Sequence, residues 1–224
     1  MRRGERPWLL DLCCGAGGAG EGYRLAGFHV VSVDIVKQPH NPHEFYQDDM
    51  FHVLDVLLSG QEWKKYRLHD FQVLRASVPC QGYSRMRYLP WLQGKEYPLL
   101  IDRTWQLFQK SGLAWEIENV EDAPMPYSIT LCGLSFGLPL YRHRRFGTSH
   151  LLMAPSHQRH TKTISPGRML GDRGRVSSWE RASRMPAVMG CPWMTQHEVS
   201  QAIPPAYTQW IGAQLLTIIE HSAA

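Results

Sequence analysis

Five glycines, at positions 15, 17, 18, 20 and 22, follow directly on the short apolar run Trp8-Leu9-Leu10-Asp11-Leu12. A buried parallel strand enters a helix in this way, because the turn needs backbone conformations that a side chain resists and glycine accepts. The spacing predicts a helix over 19–26 closed by Gly27, then a second strand over 28–33 that ends on Asp34. Further strands are expected at 44–47, at 71–76 ahead of Pro79, and at 113–117, which runs into Glu118-Asn119-Val120; a helix is expected over 100–110. Strands alternating with helices make an open, mostly parallel α/β sheet. From Ser128 the texture changes, and 129–132 and 145–148 read as antiparallel strands joined through Gly137 and Pro139. The last stretch, 206–220, has helical apolar spacing through Trp210, Ile211, Leu215, Ile218 and Ile219.

Composition narrows the class. With 224 residues, 43% hydrophobic and 20% charged, the chain is too apolar for disorder and suits one principal core. A net charge of +4 and a pI of 8.8 permit contact with nucleic acid without requiring it. No apolar run reaches the roughly 18 residues of a membrane span, and the basic start Met1-Arg2-Arg3-Gly4 leads into a run broken by Asp11, unlike an export signal. The five cysteines, at 13, 14, 80, 132 and 191, include no C-x-x-C pair, which fits a reducing, cytoplasmic setting better than a disulfide framework. The stretch 155–178, rich in Arg, Ser, Gly, His and Lys, reads as a basic surface loop or very small subdomain. The expected division is a core over 1–150, a short basic insert over 151–190, and a C-terminal segment over 191–224 whose helix packs back on the core.

Gly15-Ala16-Gly17-Gly18-Ala19-Gly20 contains G-x-G-x-x-G between a strand and a helix, with Asp34 near the distance at which an acid meets a ribose. A nicotinamide or flavin dinucleotide fits that pattern, S-adenosylmethionine fits it equally, and a turn serving only close helix and sheet packing also remains open. Gly133-Leu134-Ser135-Phe136-Gly137 matches the G-x-S-x-G nucleophile elbow of hydrolases, but Pro139 and the run Arg142-His143-Arg144-Arg145 do not continue as the helix an elbow needs. His157 and His160 lack a Cys or carboxylate at zinc-like spacing and read as solvated loop histidines, so no metal is expected.

Val78-Pro79-Cys80-Gln81-Gly82-Tyr83-Ser84 sets a cysteine just past the fourth strand, on the carboxyl edge where α/β sheets bind ligands. Arg85 and Arg87 follow it and are expected to lower its pKa. Glu118, ending the fifth strand, should emerge on the same edge. With these segments in order, the chain resembles the cytosine carbon-5 DNA methyltransferases. The carrying residues are Asp11-Leu12-Cys13-Cys14-Gly15-Ala16-Gly17-Gly18, Pro79-Cys80-Gln81, Glu118-Asn119-Val120 and Arg142-His143-Arg144-Arg145, with Gln201-Ala202-Ile203-Pro204-Pro205-Ala206-Tyr207 resembling the family's final motif.

The resemblance implies a Rossmann-like S-adenosylmethionine-dependent methyltransferase fold and transfer of a methyl group to carbon 5 of cytosine. Cys80 would be the nucleophile, Glu118 the acid on the ring, Arg144 the contact to the base carbonyl, and Asn119 the brace of the Pro79-Cys80 loop. Cofactor contacts would come from Asp11, Cys13, Gly15, Gly17, Gly18, Asp34, Ile35, Asp49, Met50 and Pro79, and substrate contacts from Gln81, Ser84, Arg85 and Arg142. The implied partner is nucleic acid, above all double-stranded DNA with the base flipped out, and no membrane.

Three departures from the family stand out. Cys13 replaces an aromatic residue that commonly lies against the cofactor, and Pro204-Pro205 replaces a frequent Gly-Asn. The span between Phe146 and Trp193 is also too short for a full target-recognition domain. Arg159, His160, Lys162, Arg168, Arg173 and Arg175 would contact phosphates, which positions a duplex without reading it. Weak sequence preference, a specificity partner, a second protomer, or an RNA or free-nucleotide substrate are the readings this leaves, together with an idle nucleic-acid-binding scaffold.

Overall fold

The computed structural model describes residues 6–92, 94–160, 169 and 178–222. Its sheet contains β1 (Trp8–Leu12), β2 (His29–Asp34), β3 (Glu44–Gln47), β4 (Phe71–Ser77), β5 (Ala114–Asn119), β6 (Ser128–Leu131) and β7 (Arg144–Thr148), in the order β3-β2-β1-β4-β5-β7-β6. β7 runs antiparallel to both β5 and β6, and the pairs from β3 through β5 are parallel. The expected strands are present to within a residue or two. Strand order turns back between β1 and β4, which opens a crevice at their carboxyl ends.

Helices α1 (Gly18–Ala26), α2 (Met50–Leu58), α3 (Ile101–Ser111), α4 (Ser178–Val188), α5 (Gln196–Gln201) and α6 (Pro205–Ser222) complete the chain order. Sequence reading did not anticipate α2 and α5, although both carry start signals. Asp49 caps α2 by accepting from the N–H groups of Phe51 and His52, and Thr195 and Glu198 form a capping box on α5. Among the described residues no helix is long and apolar enough to cross a membrane.

The sheet is buried on both faces. Leu10, Leu12, Val31, Val33, Leu74 and Ile117 pack with Val53, Leu54 and Leu57 of α2 and Phe108 of α3. On the other face Leu9, Val30, Val73 and Phe146 pack with Tyr23 of α1 and Tyr207, Ile211 and Leu215 of α6. Helices α1 and α6 approach so closely that a Cβ on Gly22 would lie 2.0 Å from Thr208 Oγ1 and 2.1 Å from the Pro205 carbonyl oxygen. Part of the glycine cluster therefore serves helix packing and not ligand approach.

A row of polar residues crosses this apolar sheet. Strand register aligns Ser32, Asp11, Arg75, Glu116 and Thr148 side by side, all of them buried. Arg75 Nη1 lies 2.7 Å from Asp11 Oδ1, its Nε lies 3.2 Å from Glu116 Oε2, and the Tyr23 hydroxyl donates to the same Glu116 oxygen. Burial pushes the Glu116 carboxyl up from 4.5 to about 7, with Arg75 opposing. The folded protein therefore holds this proton more tightly than the unfolded chain does, and stability from this group falls as pH rises from 4.5 to about 7. A Glu116→Gln variant should flatten that slope, and urea unfolding at about pH 5 and about pH 8 would measure it. An unchanged slope would remove Glu116 as its source.

Candidate active site

At the carboxyl end of β1 the chain turns through Cys13, Gly15 and Gly17, at φ of 52°, 51° and 81°. The last two are left-handed conformations that glycine takes without strain. The Gly15 N–H donates to Asp34 Oδ2 at 2.9 Å and the Val36 N–H to Asp34 Oδ1 at 3.0 Å, so the acid ending β2 holds the turn in place. Asn41 donates to the Gly15 carbonyl at 3.0 Å, and the indole of Trp193 donates to the Ala16 carbonyl at 2.9 Å. Neither bracing residue was singled out from sequence, since each comes from a loop without a motif.

This edge fits a nucleoside-bearing ligand. A Cβ at Gly15 would meet no atom within 4 Å, and beside Asp34 the apolar side chains of Ile35 and Val36 stand 65% and 60% exposed. Gly18 differs, because a Cβ there would lie 2.7 Å from the Ile203 carbonyl oxygen. Three expected cofactor contacts are otherwise committed. Asp11 is buried against Arg75, Met50 is buried with its sulfur 3.3 Å from Cys13 Sγ, and Asp49 caps α2. The Cys13 thiol is pushed up to about 12, first by burial and then by Asp34, and stays protonated.

Cys80 follows β4 in a tight turn, its carbonyl accepting from the N–H groups of Tyr83 at 3.0 Å and Ser84 at 2.9 Å. Asn119 Nδ2 donates to the Val78 carbonyl at 3.0 Å, directly ahead of Pro79 and Cys80. Glu118 is opposite Ser77 in the β4–β5 register and nearly buried. Its Oε2 accepts from the Ser77 hydroxyl at 2.7 Å, and its Oε1 lies 3.2 Å from Arg144 Nε. Ser77 is in turn held by Arg75, so a hydrogen-bonded line runs from the buried row to Glu118. Ser77 was missed in sequence because its role depends on strand register.

The electrostatics of Cys80 correct one expectation. Burial raises its thiol above the ordinary value, Glu118 raises it further, and the opposing cations are Arg144 and then Arg142. Arg85 and Arg87 play no such part. Arg85 is exposed and pairs with Asp122 at 2.6 Å, while Arg87 binds the Gly82 carbonyl and the Tyr88 hydroxyl. The cations that matter arrive from the start of β7 and the turn ahead of it, far away in sequence.

Arg142 is also used differently from expectation. At φ 35° it turns its guanidinium onto the end of α5, donating to the carbonyls of Ala202 at 2.9 Å and Ser200 at 2.8 Å. A cation satisfying the last carbonyls of a helix is a structural clamp. Burial, then Arg144, pulls its pKa down to about 10. Of the remaining substrate candidates, Gln81 is exposed and Ser84 half-buried in the Cys80 turn.

Gly133–Phe136 forms a short 3-10 turn ending at Gly137, not the long helix that follows a nucleophile elbow, and Ser135 Oγ bonds the Ser156 carbonyl. His157 and His160 are not solitary loop histidines, because the fold brings Cys132 and His143 beside them. Of the expected phosphate contacts, Arg159 is exposed and His160 half-buried. Lys162, Arg168, Arg173 and Arg175 lie outside the described residues, as does much of the expected 151–190 insert.

Among solved structures, the S. pombe Dnmt2 methyltransferase is similar with a TM-score of 0.54 at 12% identity, over 96% of this chain and 99% of that one. The Entamoeba histolytica methyltransferase EhMeth gives 0.50 at 10% identity, again over 96% and 99%. A mutant of Spodoptera frugiperda DNMT2 gives 0.43 at 17% identity, over 63% of this chain and 49% of that one, so the chain spans about half its length. The first two likenesses, over nearly the whole chain, show a methyltransferase fold. No curated protein matches. A family model described as C-5 cytosine-specific DNA methylase matches residues 8–124, from β1 through the Cys80 loop to just beyond Glu118 and Asn119. That match takes in more than half of the chain and both strand ends that bear the thiol and the acid, and the chain belongs to the C-5 cytosine-specific DNA methylase family.

Proposed function

We propose that the chain methylates carbon 5 of cytosine in DNA, with S-adenosylmethionine as methyl donor and Cys80 as a covalent nucleophile. The observation that carries the reading is the convergence on one sheet edge of the Cys80 thiol, the Glu118 carboxyl and the Arg144 guanidinium, beside an open glycine turn held by Asp34. Gly15, Gly17, Asp34 and Ile35 would hold S-adenosylmethionine, which would supply an electrophilic methyl group. Carbon 5 of cytosine is a poor nucleophile on its own. Addition of the Cys80 thiolate to carbon 6 makes carbon 5 enamine-like. Glu118 faces the ring nitrogen and accepts from the exocyclic amine, meeting charge that builds on the ring.

Ser77 and Arg144 hold Glu118 from both carboxylate oxygens, and Arg144 lies next to the position the base carbonyl takes. After transfer, the carbon 5 proton leaves to solvent or a base, and the Cys80–carbon 6 bond breaks. A cytosine within a duplex reaches Cys80 only when flipped out, at a cost of a few kcal/mol. Selection of the target falls to the basic segment after β7, to a specificity partner, or to a second protomer.

Expression in a host without cytosine methylases, followed by mass spectrometry of nucleosides, tests the substrate. The expected result is 5-methyldeoxycytidine in DNA. A rise of 5-methylcytidine in RNA alone would replace DNA by RNA, and no methylated cytosine in either would overturn the reading.

A further inference from the structure

Away from Cys80, the described residues gather one more group with ligand chemistry: Cys132, His143, His157 and His160. Each offers one donor atom, and the four atoms lie within 4.8 Å of one another. Cys132 Sγ is 3.4 Å from His160 Nε2, and His143 Nε2 is 3.2 Å from His157 Nε2. Zn–N bonds of about 2.0–2.1 Å and a Zn–S bond of about 2.3 Å in a tetrahedron require donor separations of about 3.3–3.6 Å. Two edges of that tetrahedron are already close to length, and the others need a contraction in which the exposed His157 can take the largest part.

The surroundings orient the donors. Glu121 Oε2 lies 3.2 Å from His143 Nδ1, the ring nitrogen on the side away from the cluster. A carboxylate behind a ligating imidazole is the usual outer support of a metal site. The Tyr141 ring stacks on His160 at 3.6 Å between centroids and 3° between planes, and His143 stacks on the same ring at 4.9 Å and 10°. Cys132 is buried, and the backbone N–H of Leu134 approaches its sulfur. Thiolate and imidazole together select zinc over magnesium or calcium, which take oxygen ligands.

We propose that Cys132, His143, His157 and His160 form a structural zinc site that fastens the segment after β7 onto the β6–β7 hairpin. Zinc binding displaces the Cys132 thiol proton to solvent, and four protein ligands leave no position for a reacting water. The site has a consequence for the crevice. The His143 carbonyl accepts from Arg144 Nη1 at 2.8 Å, so the metal clip ends one residue from the guanidinium that meets Glu118.

Metal content of the full chain, expressed with zinc in the medium and desalted, is the test, with Co²⁺ as the spectroscopic probe. Wild type should carry a single zinc per chain. Exchanged with Co²⁺, it should show a thiolate-to-cobalt charge-transfer band and the intense visible bands of tetrahedral cobalt. Cys132→Ser should lose the charge-transfer band and most of the zinc, while Cys191→Ala, which removes a buried thiol outside the cluster, should keep both. Should Cys132→Ser fail to fold, His157→Ala, at an exposed position, should weaken zinc retention against a chelator by about 10-fold or more. A wild type that takes up neither zinc nor Co²⁺ overturns the site, as does a Cys132→Ser or His157→Ala variant with unchanged metal binding.

Discussion

A Cys80→Ala variant should still bind S-adenosylmethionine but transfer its methyl group slower by about 10⁴-fold or more, because the step that activates carbon 5 is gone. Cofactor affinity by calorimetry and transfer by radiolabel make the two halves separately measurable. Wild-type kcat/KM should rise with pH through the neutral range, since burial and Glu118 keep the Cys80 thiol above its ordinary value and the thiolate fraction grows as pH rises. Glu118→Gln removes an anion that holds the thiol up, so its rising limb should move to lower pH while its maximal rate falls. Transfer by Cys80→Ala at even a tenth of the wild-type rate would remove the thiol from the chemistry.

Arg75→Ala is expected to be the most damaging change away from the crevice, costing about 3–5 kcal/mol of stability, because it leaves the Asp11 and Glu116 side chains buried without the guanidinium that binds both. Urea unfolding monitored by tryptophan fluorescence would measure it. The triple replacement Asp11→Asn, Arg75→Met, Glu116→Gln should recover most of that loss, since no uncompensated charge then stays inside the sheet. Arg75 also holds Ser77, which donates to Glu118. The triple variant should therefore fold yet transfer more slowly than wild type. A loss in Arg75→Ala below about 1 kcal/mol would mean that water or rearrangement satisfies both acids.

Much of this was legible in the sequence because the signals are local. Buried strands, a glycine turn and the stops at Gly27 and Pro79 are written in adjacent residues, and they predict the parallel sheet and its antiparallel pair. Cys80 and Glu118 were placed on one edge because each ends a strand of a parallel sheet. What escaped depends on register or on distant segments. Arg75 was read only as one residue of the fourth strand, and it is the register that sets it between Asp11 and Glu116. Arg142 and Arg144 were both expected at the base, Arg144 in the catalytic set, yet Arg142 clamps α5 while Arg144 meets Glu118. The cluster at Cys132 draws on four positions spread over 29 residues, and only His157 and His160 are closely spaced, with Cys132 and His143 brought in by the fold.

The most direct measurement of the central claim uses a DNA duplex in which the target cytosine carries fluorine at carbon 5. Elimination after methyl transfer needs the carbon 5 proton, so with fluorine in its place the thioether to carbon 6 persists. Incubation with S-adenosylmethionine, denaturing electrophoresis and peptide mass spectrometry should find the DNA joined to the peptide containing Cys80, and Cys80→Ala should form no adduct. An adduct on another residue, or methyl transfer to ordinary cytosine with no trappable adduct, would contradict the account.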